Sequence, residues 1–236
     1  MCGIFGSHNF YVYEQLYNIN KQRGTFSYGS VYIKNTVNPG LIKETYVRKQ
    51  PSTTNLTGDY AFQQEYEQFL GHTQAPTSAQ RKFSPSTSHP FNSIHYIVAH
   101  NGVLENTEQL IKENIGVHDN PVDSSVIPVL LSYVFEFNDS VHDNGTVTDT
   151  PEVKAIQEVC NMLKGTFACW IYSKLTGDTY IVRSGSTLYG NIMTGDFSST
   201  RCDMCKTELK EGVIYCVTSE GLATCGEFES NSPFFL

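Results

Sequence analysis

Met1-Cys2-Gly3-Ile4-Phe5-Gly6 opens the chain, and its reading decides the rest. The apolar run from Cys2 to Gly6 is too brief for a helix and suits a buried strand that begins at the terminus itself. A reactive group on residue 2 would then be held rigidly. Methionine is commonly trimmed when the next side chain is small, which leaves a thiol and a free α-amine on one residue. An α-amine has a reference pKa of about 7.7 to 8.0 against about 10.4 for lysine. Near neutral pH the terminal amine can therefore accept the thiol proton, directly or through one water.

Outward from this stretch, Tyr13, Leu16, Tyr17 and Asn20 recur at helical spacing before Gly24. Ser30 to Lys34 and Leu41 to Arg48 alternate as strands do. Pro51 to Gly58 and Pro76 to Pro90 are polar, turn-rich connections, the second loaded with Ser, Thr and Pro as binding loops often are. The β-branched run Ile94 to Ala99 ends in His100-Asn101-Gly102, read as a turn at a strand terminus. Asn106 or Thr107 can cap a helix through Ile111, Asp123 or Ser124 a second through Phe135, and Thr150-Pro151-Glu152 opens a third that ends at Gly165. Phe167 to Ser173 and Asp178 to Arg183 flank a hairpin turn, and Val213 to Thr218 is a further strand. Strands and helices each fall in two groups, which suggests face-to-face sheets with helices outside. Residues 1–236 read as one domain, with Gly195 to Gly212 as a polar surface insertion between strands.

Of the 236 residues, 39% are hydrophobic and 17% charged, which fits a sizeable packed core and excludes bulk disorder. The formal net charge of -8 argues against a nucleic-acid backbone or an anionic membrane as partner, because both demand a basic face. No apolar stretch approaches the roughly 20 residues that cross a bilayer, and Met1 to Ser7 lacks the basic lead of a secretory signal. Seven scattered cysteines do not form a secreted disulfide framework. Together these features point to a cytoplasmic protein in a reducing compartment.

Met-Cys-Gly-Ile-Phe-Gly, Arg23-Gly-Thr-Phe-Ser27-Tyr-Gly29, Gly71-His-Thr, His89-Pro90 and His100-Asn-Gly-Val-Leu-Glu-Asn106 follow one another in this order. Each is weak alone, but the ordered set closely resembles the class II glutamine amidotransferases. Asp123, Ser184-Gly-Ser-Thr-Leu188 and Val217-Thr-Ser-Glu220 extend the resemblance to roughly Cys2 through Gly226. It implies the N-terminal nucleophile hydrolase fold, an α+β four-layer αββα sandwich of two stacked, mainly antiparallel sheets. It also implies that Cys2 attacks the side-chain carboxamide of glutamine, forms a thioester, releases ammonia and is freed by water. The Asn101 amide and the Gly102 backbone N–H would form the oxyanion hole. Asp123 would hold the substrate α-ammonium, and Arg23, at the substrate end of the site, would buttress the nucleophile from behind. No cofactor or metal is implied. The chain ends where a fused relative would begin its acceptor domain, and it shows no nucleotide-binding loop, so a separate synthetase subunit is the expected ammonia acceptor.

One departure stands out. The family usually follows Gly-His-Thr with an arginine that grips the glutamine α-carboxylate, whereas this chain has Gln74. Gln74 and the backbone around Thr77 are then the expected carboxylate cradle, with Arg81 as an alternative. The other titratable side chains read blandly. Cys202-Asp-Met-Cys205 with Cys216 and Cys225 lacks the second CxxC of a zinc site; Cys216 falls in a predicted strand and Cys225 in a predicted helix. Cys160 and Cys169 look like small core hydrophobes. His72, His89 and His100 read as loop-orienting hydrogen bonders, and His95 as the polar face of a strand.

Overall fold

A computed structural model describes residues 2–34, 43–51, 56, 64–75, 82–139 and 150–230. In chain order the elements are β1 (Gly3–Ser7), α1 (Phe10–Asn20), β2 (Ser27–Lys34), β3 (Thr45–Pro51), β4 (Tyr66–Gln74), β5 (Phe91–Asn92), β6 (Tyr96–Leu104), α2 (Thr107–Leu110), α3 (Val126–Asp139) and α4 (Pro151–Met162). They are followed by β7 (Gly165–Ser173), β8 (Thr179–Ser184), β9 (Tyr189–Gly190), β10 (Phe197–Ser198), β11 (Thr207–Glu208), β12 (Val213–Thr218) and β13 (Gly221–Glu227). Among the described residues these strands form two sheets, ordered β11-β9-β10-β1-β4-β2-β3 and β13-β12-β8-β7-β6-β5. Neighbouring strands run antiparallel in both.

Period-two alternation sorts the side chains into three apolar layers. Phe5, Tyr28 and Phe69 leave the outer face of the first sheet and meet Tyr13, Leu16 and Tyr17 of α1. Their neighbours Ile4, Val31 and Leu70 point the other way, against Ala99, Trp170 and Ile181 of the second sheet. Val98, Phe167 and Ile171 leave the far face of that sheet and pack on Leu130 and Ile156 of α3 and α4. The order of layers is therefore helix, sheet, sheet, helix, the αββα arrangement that the resemblance implies. Trp170 joins the sheets directly, since its Nε1 donates to the Gly71 carbonyl at 3.0 Å.

Local chemistry explains the helix starts. Asn9 Oδ1 accepts from the N–H groups of Tyr11 and Val12 at 2.9 and 3.2 Å, so α1 begins at Phe10. Thr150 caps α4 by accepting from Val153 N at 3.3 Å, with Pro151 in the first turn.

Several sequence expectations change. His100-Asn101-Gly102 is no turn: β6 continues to Leu104, with Asn101 opposite Ala168 and Gly102 opposite Phe167, so the ladder with β7 overrides the local turn preference of Asn-Gly. Cys225 lies in β13, paired with β12, and not in a helix. Gly195 to Gly212 is no surface insertion, because it supplies β10 and β11 to the first sheet and buries Phe197 and Cys205 completely. Asn106 does not cap α2 through its side chain; it donates to Met162 O at 2.8 Å and accepts from Lys164 N at 2.9 Å. The helix itself widens into a π turn over Ile111–Ile115. His95 precedes β6 and pairs with Glu136 of α3 at 3.0 Å. Leu41 and Ile42, most of the connection from Pro51 to Gly58, and residues 76–81 lie outside the described residues.

Candidate active site

The site starts from the register of β1 on β4, where Gly3 lies opposite Thr73 and Ile4 opposite His72. One further step along that antiparallel ladder brings Cys2 beside Gln74, on the face that looks into the space between the sheets. Cys2 is partly exposed. Burial of its surroundings raises the thiol pKa; a hydrogen bond with the Ala75 backbone and the charge of Arg23 oppose this, and the charge of Asp123 adds to it. A thiol so placed stays protonated near neutrality and needs a base to become a nucleophile.

Arg23 follows the end of α1 and reaches back to Cys2. Its Nε donates to the Cys2 carbonyl at 2.7 Å and one terminal nitrogen to the Ser199 carbonyl at 3.3 Å. Burial lowers its pKa while the neighbouring Cys2 opposes that shift. Gly24 makes the approach feasible, because a Cβ there would collide with the backbone of Gln74 and Ala75. Phe26 N then donates to Gln74 O at 2.9 Å, which locks this loop to the end of β4.

Asn101 faces this group from the second sheet. It is 6% exposed, and its Nδ2 donates to Ser199 Oγ at 3.3 Å. Ser199 Oγ also accepts from Ile4 N at 3.0 Å, two residues from Cys2. Gly102, at φ 155°, is exposed, and a Cβ on it would strike the Thr166 carbonyl, so this position admits glycine and little else.

Asp123 begins the turn that leads into α3. Its Oδ2 accepts from Leu104 N at 3.0 Å and its Oδ1 from Ser124 N at 2.8 Å. These bonds fix the carboxylate as the wall of a cleft of about 550 Å³, lined also by Lys82, Thr87, Gly102, Val103 and Val122. It borders a second cleft of about 940 Å³ that reaches Asn106, His118 and Lys164. Gln74 is 2% exposed, and its Oε1 accepts from Ser27 Oγ at 2.8 Å. Thr77 and Arg81 lie outside the described residues.

The structure thus gathers Cys2, Arg23 and Gln74 at one end of the central strands of the first sheet, with Asn101 facing them and Gly102 joined to Asp123 in one cleft wall. Ser199, Ser27 and Ser124 were not legible as site residues. The histidines do more than orient loops. His72 Nε2 meets the His100 carbonyl at 3.2 Å, one sheet to the other, and His100 Nδ1 meets Ser124 Oγ at 2.8 Å beside Asp123. Cys202 and Cys205 sit in the layer under α1, whereas Cys216 and Cys225 lie against the α3 and α4 layer. Among the described residues no group of three or more His, Cys, Asp or Glu side chains is arranged to hold a metal. Nor is any helix among them long and apolar enough to cross a membrane.

No protein-family model matches the chain. Over 202 residues it is 31% identical to glutamine–fructose-6-phosphate aminotransferase (isomerizing) of Francisella tularensis, covering 80% of this chain and 29% of that protein. Over 156 residues it is 24% identical to 7-cyano-7-deazaguanine synthase 2 of Sulfurisphaera tokodaii, covering 65% and 30%. Among solved structures, an allosteric regulatory enzyme of purine biosynthesis matches at TM-score 0.70 and 18% identity. Glutamine phosphoribosylpyrophosphate amidotransferase from B. subtilis matches at 0.65 and 18%. Each of these two matches covers 98% of this chain and 50% of the other. The chain spans under a third of the length of the curated relatives it matches.

Two stacked antiparallel sheets between helices, with the first strand starting beside residue 2, define the N-terminal nucleophile hydrolase fold. Within that class, the ordered motifs and the 31% identity to glutamine–fructose-6-phosphate aminotransferase make the chain similar to the class II glutamine amidotransferases.

Proposed function

We propose that residues 1–236 act as one glutaminase domain that hydrolyses the side-chain amide of glutamine through a Cys2 thioester. Removal of Met1 frees the Cys2 α-amine, which takes the thiol proton as sulfur attacks the carboxamide carbon. The Asn101 amide and the Gly102 N–H stabilise the oxyanion of the tetrahedral intermediate. The ammonium then returns its proton to the departing nitrogen, and ammonia leaves as the C–N bond breaks and the thioester forms. Water, deprotonated by the same amine, cleaves the thioester to give glutamate and the free thiol. Asp123 holds the substrate ammonium, Gln74 with the backbone at Thr77 the carboxylate, and Arg23 fixes the nucleophile's peptide. The chemistry needs no cofactor. The ammonia passes to a synthetase on a separate polypeptide.

The observation that carries this reading is the single hydroxyl, Ser199 Oγ, that joins the Asn101 amide to Ile4 in the strand that follows Cys2. Intact-mass spectrometry before and after treatment with a glutamine-like diazoketone tests it. The expected result is a chain without Met1, alkylated once at Cys2, and loss of both labelling and glutamate release in Cys2→Ala. A chain that retains Met1 and hydrolyses glutamine at full rate would overturn the mechanism.

A second reading has one observation in its favour. Gln74 is neutral and already engaged by Ser27, so it grips an α-carboxylate weakly, which suits a substrate held chiefly through a larger group on its amide nitrogen, such as another γ-glutamyl amide. Specificity constants for glutamine and for γ-glutamyl peptides separate the two readings.

A further inference from the structure

Ser199 is 1% exposed and bonds to four segments of the chain. Its N–H donates to Ile4 O at 2.8 Å, and its Oγ accepts from Ile4 N at 3.0 Å and from Asn101 Nδ2 at 3.3 Å. Its carbonyl accepts from Arg23 at 3.3 Å and from Thr187 Oγ1 at 3.0 Å. One residue therefore touches the first strand two positions from Cys2, the arginine that grips the Cys2 carbonyl, and the amide that faces them from the opposite sheet. We infer that Ser199 is a positioning residue for catalysis: its hydroxyl holds the Asn101 carboxamide at a set distance from the Cys2 strand, aimed at the developing oxyanion. This rests on the glutaminase reading given above and gives a role to a residue that takes no part in its chemical steps.

The physical argument is one of geometry. The Asn101 amide nitrogen carries two hydrogens in a plane. With one engaged by Ser199 Oγ, the carboxamide plane loses rotational freedom, and the second hydrogen is held for the substrate. Oxyanion donors act through such pre-set orientation, because a donor that must reorient during the reaction gives less stabilisation. Ser199 also reads the position of the nucleophile's strand, since the same oxygen accepts from Ile4 N. Removing the hydroxyl leaves the carbonyl contacts to Arg23 and Thr187 intact, so the side-chain role can be isolated.

The test is a double-mutant cycle on the intact chain, read as glutamate release from glutamine. Ser199→Ala is expected to lower kcat by about threefold to tenfold, the range of one neutral hydrogen bond, with KM within about twofold of wild type. Ser199→Thr, which keeps the hydroxyl, restores most of kcat. In the Asn101→Ala background, Ser199→Ala lowers kcat by less than about twofold, because both act through one group. If Ser199→Ala does not fold, Ser199→Cys takes its place, keeping the volume while weakening the acceptor. Multiplicative losses in the double mutant, or wild-type kcat in Ser199→Ala, overturn the positioning role alone. Wild-type glutamate release by Cys2→Ala and Asn101→Ala overturns the Cys2 mechanism on which the inference rests, and no glutamate release by the unaltered chain overturns the glutaminase reading itself.

Discussion

Arg23 Nε lies 2.7 Å from the carbonyl oxygen of Cys2, so the guanidinium holds the Cys2 peptide through its main chain and not through its sulfur. The same side chain bonds the Ser199 carbonyl, which ties the end of α1 to the segment after β10. A charged hydrogen bond thus restrains the Cys2 peptide near the start of the chain.

Arg23→Ala should therefore slow chemistry more than binding. A hydrogen bond to a charged group contributes about 1.5 to 3 kcal/mol, which corresponds to roughly tenfold to a hundredfold in rate if the bond serves only to orient Cys2. Steady-state kinetics should show that loss in kcat with KM nearly unchanged. Arg23→Lys should recover little, because an ammonium cannot present the planar fork that reaches two carbonyls at once. A loss confined to KM would mean that Arg23 binds substrate directly.

Gln74→Arg tests where the substrate carboxylate sits. Register places residue 74 beside Cys2, on the face toward the second sheet. A guanidinium there would offer a charged partner in place of a neutral one, and KM for glutamine should fall roughly tenfold. The cation also enters a site that is 2% exposed and disturbs the Ser27 bond, so Tm should fall in the absence of substrate and recover with it. A KM that stays constant or rises places the carboxylate elsewhere.

Asp123→Asn separates a substrate role from a structural one. The two carboxylate oxygens accept from Leu104 N and Ser124 N, and an amide can replace only one of them. Stability should drop by about 1 to 3 kcal/mol for the orphaned donor. KM for glutamine should rise roughly tenfold to a hundredfold as the ammonium loses its counter-charge. Because the Asp123 charge raises the Cys2 pKa, its removal should shift the pH midpoint of Cys2 alkylation downward. An unchanged midpoint would place Asp123 too far from the sulfur to matter.

Some of this was legible in the sequence and some was not, for physical reasons. The strand from Gly3 and the helix through Asn20 announce themselves by local pattern, since short apolar runs and three-four spacing depend on neighbours in the chain. Asn101-Gly102 misled because its turn preference is local, whereas its ladder partner Ala168-Phe167 lies in a strand some sixty residues on. Cys225 misled because its segment lacks strong alternation and is a strand by virtue of pairing with β12. Ser199 could not be read at all. Its meaning comes from contacts 98 and 195 positions away, and a serine among Ser198, Ser199 and Thr200 looks like any polar loop.

The histidine that joins the sheets predicts how the fold responds to acid. His72 is buried between the layers, with Nε2 against the His100 carbonyl at 3.2 Å and its ring stacked on His89 at 3.9 Å. Burial pushes its pKa down from 6.5 to about 3, and burial lowers that of His100 as well. The sign follows from proton counting. Below pH 6.5 the unfolded chain binds a proton at His72 that the folded chain refuses until about pH 3, so the His72 contribution is complete above 6.5 and is lost as pH falls through that window. The slope is about 1.4 kcal/mol per pH unit, or about 2 kcal/mol between pH 6.5 and 5. His72→Gln keeps a donor for the His100 carbonyl but cannot titrate. Urea unfolding at pH 7.5 and pH 5 should show the wild type losing about 2 kcal/mol more than the variant, with the variant weaker at the higher pH and the gap closing at the lower. Equal losses in both proteins would mean that His72 takes up its proton while folded, and that the contact between the sheets survives it.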